Sequence, residues 1–307
     1  MAKKPPAATI TAIIVIGLLA VSTSAVLIRL AFDAYGARNT SISLLIAASR
    51  LTVAAAIWLP VAKNRRGGSP MPALTPWHSG WIYTALAGVF LAAHFAAWIA
   101  SLAYTSIAAS TTIVTSNPIW VALISWLWFR EKPTAVTTLG IAIAVAGGAI
   151  VAQGDASSVG SHPAWGNFLA LLGSWCVSGY LLLGRQAQRQ GMPFSGYIAV
   201  AYTTAALCLL PIPPLLGLSY IGNTLEFYFY ILALALLPQL VGHTSFNWAV
   251  RWVSPTWVTL VILFEPVLAS LLGYFFFQEV PSVWVLLGAM ILLVGVAIAV
   301  AGQKPSR

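Results

Sequence analysis

Long apolar runs separated by short polar breaks dominate this chain. Crossing the hydrocarbon of a bilayer takes ~20 residues of α-helix. The pattern predicts ten membrane helices, over 10–31, 40–61, 77–103, 108–129, 134–152, 164–184, 194–216, 226–250, 254–277 and 281–301. A transmembrane β-barrel would instead read as alternating segments of ~10 residues. The longest breaks, 62–76 (AKNRRGGSPMPALTP) and 153–163 (QGDASSVGSHP), are too short to hold a folded domain. Lys3 and Lys4, the apolar run behind them and the small residues from Ser22 to Ala25 resemble a cleavable signal. Losing that helix would leave four helices in one half against five in the other, so it is expected to stay.

The two halves repeat one another. Pro118, Glu131, Pro133, Gly140 and Gly147 recur as Pro266, Glu279, Pro281, Gly288 and Gly295, each pair offset by 148 residues, as 266 − 118 gives. A matched, proline-interrupted apolar segment in each half of a membrane chain points to a transporter built from internal repeats, with its site where they meet near the midplane. The expected domains are 1–153 and 154–307. Five is an odd number of crossings, so the repeats should be inverted. The expected fold class is an all-α membrane protein of ten transmembrane helices in two inverted five-helix repeats.

Composition agrees. Only 7% of residues are charged and mean hydropathy is +0.89, whereas soluble domains carry about 25% charge. The excess of base, 15 Lys+Arg against 6 Asp+Glu, would suggest nucleic acid in a soluble protein. Here it has a topological meaning. Ten helices place Lys3, Lys4, Lys63, Arg65, Arg66, Arg130, Lys132, Arg185, Arg189, Arg251, Lys304 and Arg307 on one side, Arg38 alone on the other, and Arg29 and Arg50 inside helices. Basic short loops stay cytoplasmic, so both termini are expected there, in a bacterial inner membrane, with no nucleic-acid partner. Trp58, Trp77, Trp81, Trp126, Trp128, Trp165, Trp252 and Trp284 fall near helix ends, as interfacial belts do. Cys176 and Cys208 lie in apolar segments and read as small buried hydrophobes. No CxxC or HExxH occurs, so no metal or other cofactor is expected.

Polar groups inside a bilayer are costly and therefore informative. Gln239, His243 and Asn247 follow i, i+4, i+8 spacing and share one helical face. Phe90, His94 and Trp98 do the same in helix 3, and His94 is one position from the repeat-mate of His243. Such stripes either bond helix to helix or line a wet cavity. Asn117 precedes Pro118 and Glu265 precedes Pro266. A proline frees a helical carbonyl, so each polar neighbour either repairs the break or contacts substrate. Glu265 is the acid expected near the midplane, for gating, substrate contact or charge pairing with Arg50. Ser174 and Ser178 share a face of helix 6 beside Trp175, while Ser22–Ser24 and Ser110–Ser116 are weaker signals because Ser and Thr bond their own helix. The substrate-binding set is thus His94, Trp98, Asn117, Trp175, Ser178, Gln239, His243 and Asn247.

The twice-present pattern Pro-x(12)-Glu-x-Pro-x(6)-Gly-x(6)-Gly resembles the EamA-type repeat of the drug/metabolite transporter superfamily, and Arg50 matches an arginine often seen in that repeat. Within it the chain looks most like the YddG-type bacterial aromatic amino acid exporters. The resemblance implies export of small metabolites, here aromatic and other neutral amino acids, through a central cavity between the repeats. Tyr202 stands near the position equivalent to Arg50, so the arginine is not duplicated. A multidrug or nucleotide-sugar exporter is the alternative within the superfamily, and a channel is the alternative class. No nucleophile motif or paired midplane carboxylate suggests an enzyme. With one midplane acid, the expected mode is facilitated movement down the substrate's own gradient.

The charge bias predicts sidedness. Single cysteines at Asn64 and Arg189 should be labelled from the cytoplasm alone, and one at Ser158 from outside alone. Cytoplasmic labelling at Ser158 would overturn the inverted arrangement.

Overall fold

The computed structural model describes residues 5–64, 79–129, 133–154, 161–249, 252–253, 258 and 261–302. Glu131, Ser158, most of the 62–76 break and most of 254–260 lie outside these. Among the described residues the secondary structure is helical: α1 (Ala7–Ser22), α2 (Ser24–Tyr35), α3 (Thr40–Asn64), α4 (Ser79–Tyr104), α5 (Ile107–Val114), α6 (Asn117–Phe129), α7 (Ala135–Gly154), α8 (Pro163–Arg189), α9 (Phe194–Leu209), α10 (Ile212–Leu215), α11 (Leu225–Leu234), a π-helical stretch (Ala235–His243), α12 (Thr244–Ala249), α13 (Glu265–Phe277) and α14 (Val283–Ala301). Nine stretches among them are long and apolar enough to span a membrane; the shorter α13 covers the second half of the helix expected over 254–277.

Several spans are broken where their polar residues predict. The first runs Ala7–Tyr35 and is interrupted at Thr23. There Ser22 Oγ donates to Leu18 O at 2.8 Å and Thr23 Oγ1 to Ala20 O at 2.7 Å. Such back-bonding competes with the helical ladder and bends it. The fourth breaks at Thr115–Ser116, directly before Asn117-Pro118, and an equivalent turn at 263–264 precedes Glu265-Pro266. Proline lacks the N–H that would continue each helix but suits the first turn of a new one. Helix α13 stops at Gln278, whose left-handed φ of 53° turns Glu279 back into the protein.

Glycines bring α7 and α14 into backbone contact. A methyl group added at Gly140 would lie under 3.0 Å from Ala299 N, and at Gly147 from Leu292 N; at Gly288 it would meet Val151 N, and at Gly295 Ala144 N. Shifting each number by 148 turns the Gly140–Ala299 contact into Gly288–Val151, and Gly147–Leu292 into Gly295–Ala144. The two helices therefore meet through equivalent surfaces, as small residues allow in membranes. Along the other long pairing, α4 with α8, Gly173 lies against Trp98 and Gly179 against Phe90. The periphery carries exposed Leu127, Leu139, Phe229, Phe275, Trp284 and Met290, suited to lipid. Trp58 departs from the belt expectation: it is buried, and its Nε1 donates to Ser195 O at 3.3 Å.

Neighbouring glycines give a sharp test. Gly147→Ala forces backbone apart and should cost about 1–3 kcal/mol, read as a lower melting temperature in detergent. At Gly148 the nearest neighbour of an added methyl is the flexible Leu292 Cδ1, 3.5 Å away, so Gly148→Ala should melt like the wild type.

Candidate functional site

Arg50 heads the largest fully buried side chains among the described residues. It projects from α3 into a junction of three other spans. Its Nε donates to Gln239 Oε1 at 3.1 Å, its Nη1 donates to Ser24 Oγ at 3.0 Å, and its Cζ lies 4.2 Å from the centre of the Phe95 ring. Burying an ion costs several kcal/mol even after the protein relaxes; two hydrogen bonds and an aromatic face offset part of that. The Arg50 Nη2, the Gln239 Nε2 and the Trp98 Nε1 are buried donors with no direct hydrogen bond among the described residues, though the buried Tyr202 hydroxyl adjoins the Gln239 amide.

Around the guanidinium stands a wall of rings. Phe95 meets His243 edge-on, with centroids 5.8 Å apart. His94 stacks on Trp98 at 6.0 Å and an interplanar angle of 7°. His94 Nδ1 lies 2.8 Å from Gly173 O. A carbonyl can only accept, so Nδ1 carries the proton and Nε2 remains an acceptor. Gln239 and His243 come from the π-helical stretch, which contains Pro238. That proline cannot donate to the carbonyl four residues back, and wider π turns of this kind recur at functional sites.

A second group adjoins the first through α8. Gly173 takes the His94 bond, and next to it Ser174 Oγ lies 3.3 Å from Ser116 Oγ. Ser178 Oγ donates to Ser174 O at 2.7 Å and also lies 3.1 Å from Asn117 O. Trp175 meets Trp120 edge-on at 5.4 Å, and Trp120 Nε1 donates to Ser116 Oγ at 3.1 Å. Thr111 and Thr115 spend their hydroxyls on their own helix.

The structure thus brings His94, Trp98, Gln239, His243 and Arg50 together, with Asn117, Ser178 and Trp175 alongside. Asn247 lies beside the Tyr180 hydroxyl, and Tyr180 in turn neighbours Tyr202, whose hydroxyl adjoins Gln239. Glu265, half-buried, opens α13. It is close enough to Arg50 for the charges to act on each other, but no direct ion pair joins them: among the described residues the ion pairs are Arg29–Glu279 (3.5 Å) and Arg38–Asp33 (2.6 Å). The buried Arg29–Glu279 pair was not foreseen. Arg29 Nη2 also donates to Thr105 O at 2.6 Å, and Glu279 Oε1 accepts from Ile107 N at 2.6 Å. Sequence reasoning also passed over Phe95 and Pro238; proline four residues before Gly242 was the available signal for the latter.

The sequence profile of the EamA-like transporter family matches residues 8–153 and again residues 164–301. The chain belongs to the EamA-like transporter family. Relatives of this EamA-like transporter are distant. The uncharacterized transporter YwfM of Bacillus subtilis (strain 168) is 27% identical over 254 residues, 78% of this chain and 83% of that protein. A probable terminal-alkyne amino-acid exporter of Streptantibioticus cattleyicolor is 25% identical over 272 residues, 88% of this chain and 86% of that one. A protein of known crystal structure superposes with a TM-score of 0.60 over 95% of this chain and 96% of its own, at 20% identity, a likeness of fold alone. The chain is thus an all-α, multi-pass membrane transporter.

Alanine at His94, Trp98, Trp175 or His243 should lower flux several-fold while the protein still inserts and elutes as one species. Wild-type flux in all four variants would place the site elsewhere.

Proposed function

We propose that this transporter exports aromatic and other neutral amino acids from the bacterial cytoplasm by alternating access at the Arg50 junction. The observation that carries the reading is the gathering of Phe95, His94, Trp98 and His243 around a fixed, buried guanidinium. An aromatic wall stacks on an aromatic side chain, and buried polar donors select the polar end. The Arg50–Gln239 bond links residues 189 positions apart, so the site draws on both halves, as a site between moving units must. The exchange of α7–α14 contacts under the 148-residue shift supports two inverted repeats, 1–153 and 154–307. Both termini are then cytoplasmic. The amino-acid exporter among the relatives supports the substrate class. One buried arginine in the junction suits one carboxylate better than the several phosphate oxygens of a nucleotide sugar. The mode is facilitative: Glu265 is the acid of the junction, and among the described residues its surroundings offer no second carboxylate for a proton relay, since the buried Glu279 is paired with Arg29.

Proteoliposomes loaded against a panel of labelled amino acids, with and without a pH difference, test this. Saturable uptake of phenylalanine, tryptophan and other neutral amino acids, accelerated by unlabelled substrate inside and independent of the pH difference, is the expected result. Uptake of a cationic drug or a nucleotide sugar in place of every amino acid would overturn the reading. Accumulation that follows the pH difference would overturn the facilitative mode.

A further inference from the structure

Hydrogen-bond supply and demand around Arg50 do not balance, and the excess of donors falls on the guanidinium. Arg50 Nη2 and Gln239 Nε2 are both buried donors without a direct hydrogen bond among the described residues, and the buried Tyr202 hydroxyl adjoins the Gln239 amide. They are neighbours, because the Gln239 oxygen already accepts from Arg50 Nε. Both are pure donors: a guanidinium has no acceptor, and the one acceptor of Gln239 is engaged by Arg50. Buried donors in native proteins find acceptors; the Tyr202 hydroxyl can serve Gln239 but brings a proton of its own, so Arg50 Nη2 still calls for an acceptor from outside the protein. Charge points the same way. No carboxylate is in ion-pair contact with Arg50, so its buried positive charge has no direct counter-ion among the described residues. Water would satisfy the donors but leave that charge in place. A carboxylate does both, and two of its lone pairs match the fork of a guanidinium edge.

The guanidinium is also held ready. Ser24, Gln239 and the face of Phe95 fix three of its sides, leaving the Nη2 edge. A donor fixed before binding loses little freedom on binding. Opposite in charge, and not in contact with it, stands Glu265 at the start of α13. An acid and a base held within each other's field but apart present two complementary ends.

We propose that Arg50 and Glu265 form a zwitterion clamp, Arg50 and Gln239 receiving the substrate carboxylate and Glu265 its ammonium group. The inference rests on the amino-acid reading above and adds the residues that read the backbone of the substrate, leaving the ring wall to read its side chain. It gives the transporter a preference for substrates that carry both charges.

Three labelled probes separate the ends: phenylalanine, phenylalaninamide (no carboxylate) and N-acetylphenylalanine (no ammonium). Wild-type protein in proteoliposomes should take up phenylalanine about tenfold or more faster than either analogue. Glu265→Gln should erase the advantage over N-acetylphenylalanine by slowing phenylalanine alone. Arg50→Gln should likewise erase the advantage over phenylalaninamide. Arg50→Lys keeps the charge without the fork. It covers the case in which the glutamine variant does not insert, and should raise the half-saturating phenylalanine concentration while leaving phenylalaninamide unchanged. Equal proportional losses for all three probes in an inserted variant would mark a packing role and overturn the clamp, as would wild-type phenylalanine kinetics in Glu265→Gln. Absence of phenylalanine uptake by the wild type would overturn the amino-acid reading, and the clamp with it. Normal phenylalanine uptake without charge selectivity would overturn the clamp alone.

Discussion

A guanidinium buried without direct contact to a carboxylate is the constraint around which this protein is organised. Arg50 is inaccessible to solvent and would be expelled to the interface if its helix were free to rotate. It stays because the bent first span presents Ser24, the third presents Phe95, and the π-distorted eighth presents Gln239. Each of those spans carries an irregularity or an aromatic that a uniform membrane helix would lack. The local rule-breaking at Thr23 and Pro238 is what lets straight rods converge on one polar point. Strain and polarity concentrated at one place, with regular apolar packing elsewhere, is the distribution expected where function overrides local preference.

Packing at the α7–α14 seam complements this. There the backbones touch through Gly140, Gly147, Gly288 and Gly295, and the contacts are short-range, apolar and symmetric. The Arg50 junction by contrast is polar and asymmetric, since Tyr202 rather than a second arginine stands near the equivalent place and is itself fully buried. The seam is thus symmetric and the centre asymmetric, which gives the Arg50 junction a head and a tail. Toward another side of the molecule, the Arg29–Glu279 pair ties α2 to the start of α5 and the end of α13.

Much of this was legible in the residues. The 148-residue offset marked both prolines and all four seam glycines, because backbone breaks and backbone contacts admit few residue types. Arg50, Glu265, Gln239 and the two histidines stood out because polar groups are rare in such a chain. What stayed hidden had no such signature. Phe95 is one aromatic among 13 phenylalanines, and only its position under Arg50 distinguishes it. Gln239 and His243 were paired by a spacing rule that holds for 3.6 residues per turn, and the π stretch that carries both had no mark beyond Pro238. Arg29 and Glu279 are 250 residues apart, as 279 − 29 gives, and nothing local pairs them. Trp58 looked interfacial from its place near a helix end, yet a neighbouring helix covers it.

Substrate is expected to occupy the junction beneath Arg50 rather than a groove on the lipid face or the glycine seam. Photo-crosslinking with an azido-substituted phenylalanine, followed by peptide mapping, examines that directly. The expected adducts fall on α4 around Trp98 and on the stretch around His243, and disappear when unlabelled phenylalanine is added in excess. Adducts confined to α7, α14 or the exposed apolar surface, or adducts that unlabelled phenylalanine does not suppress, would contradict it.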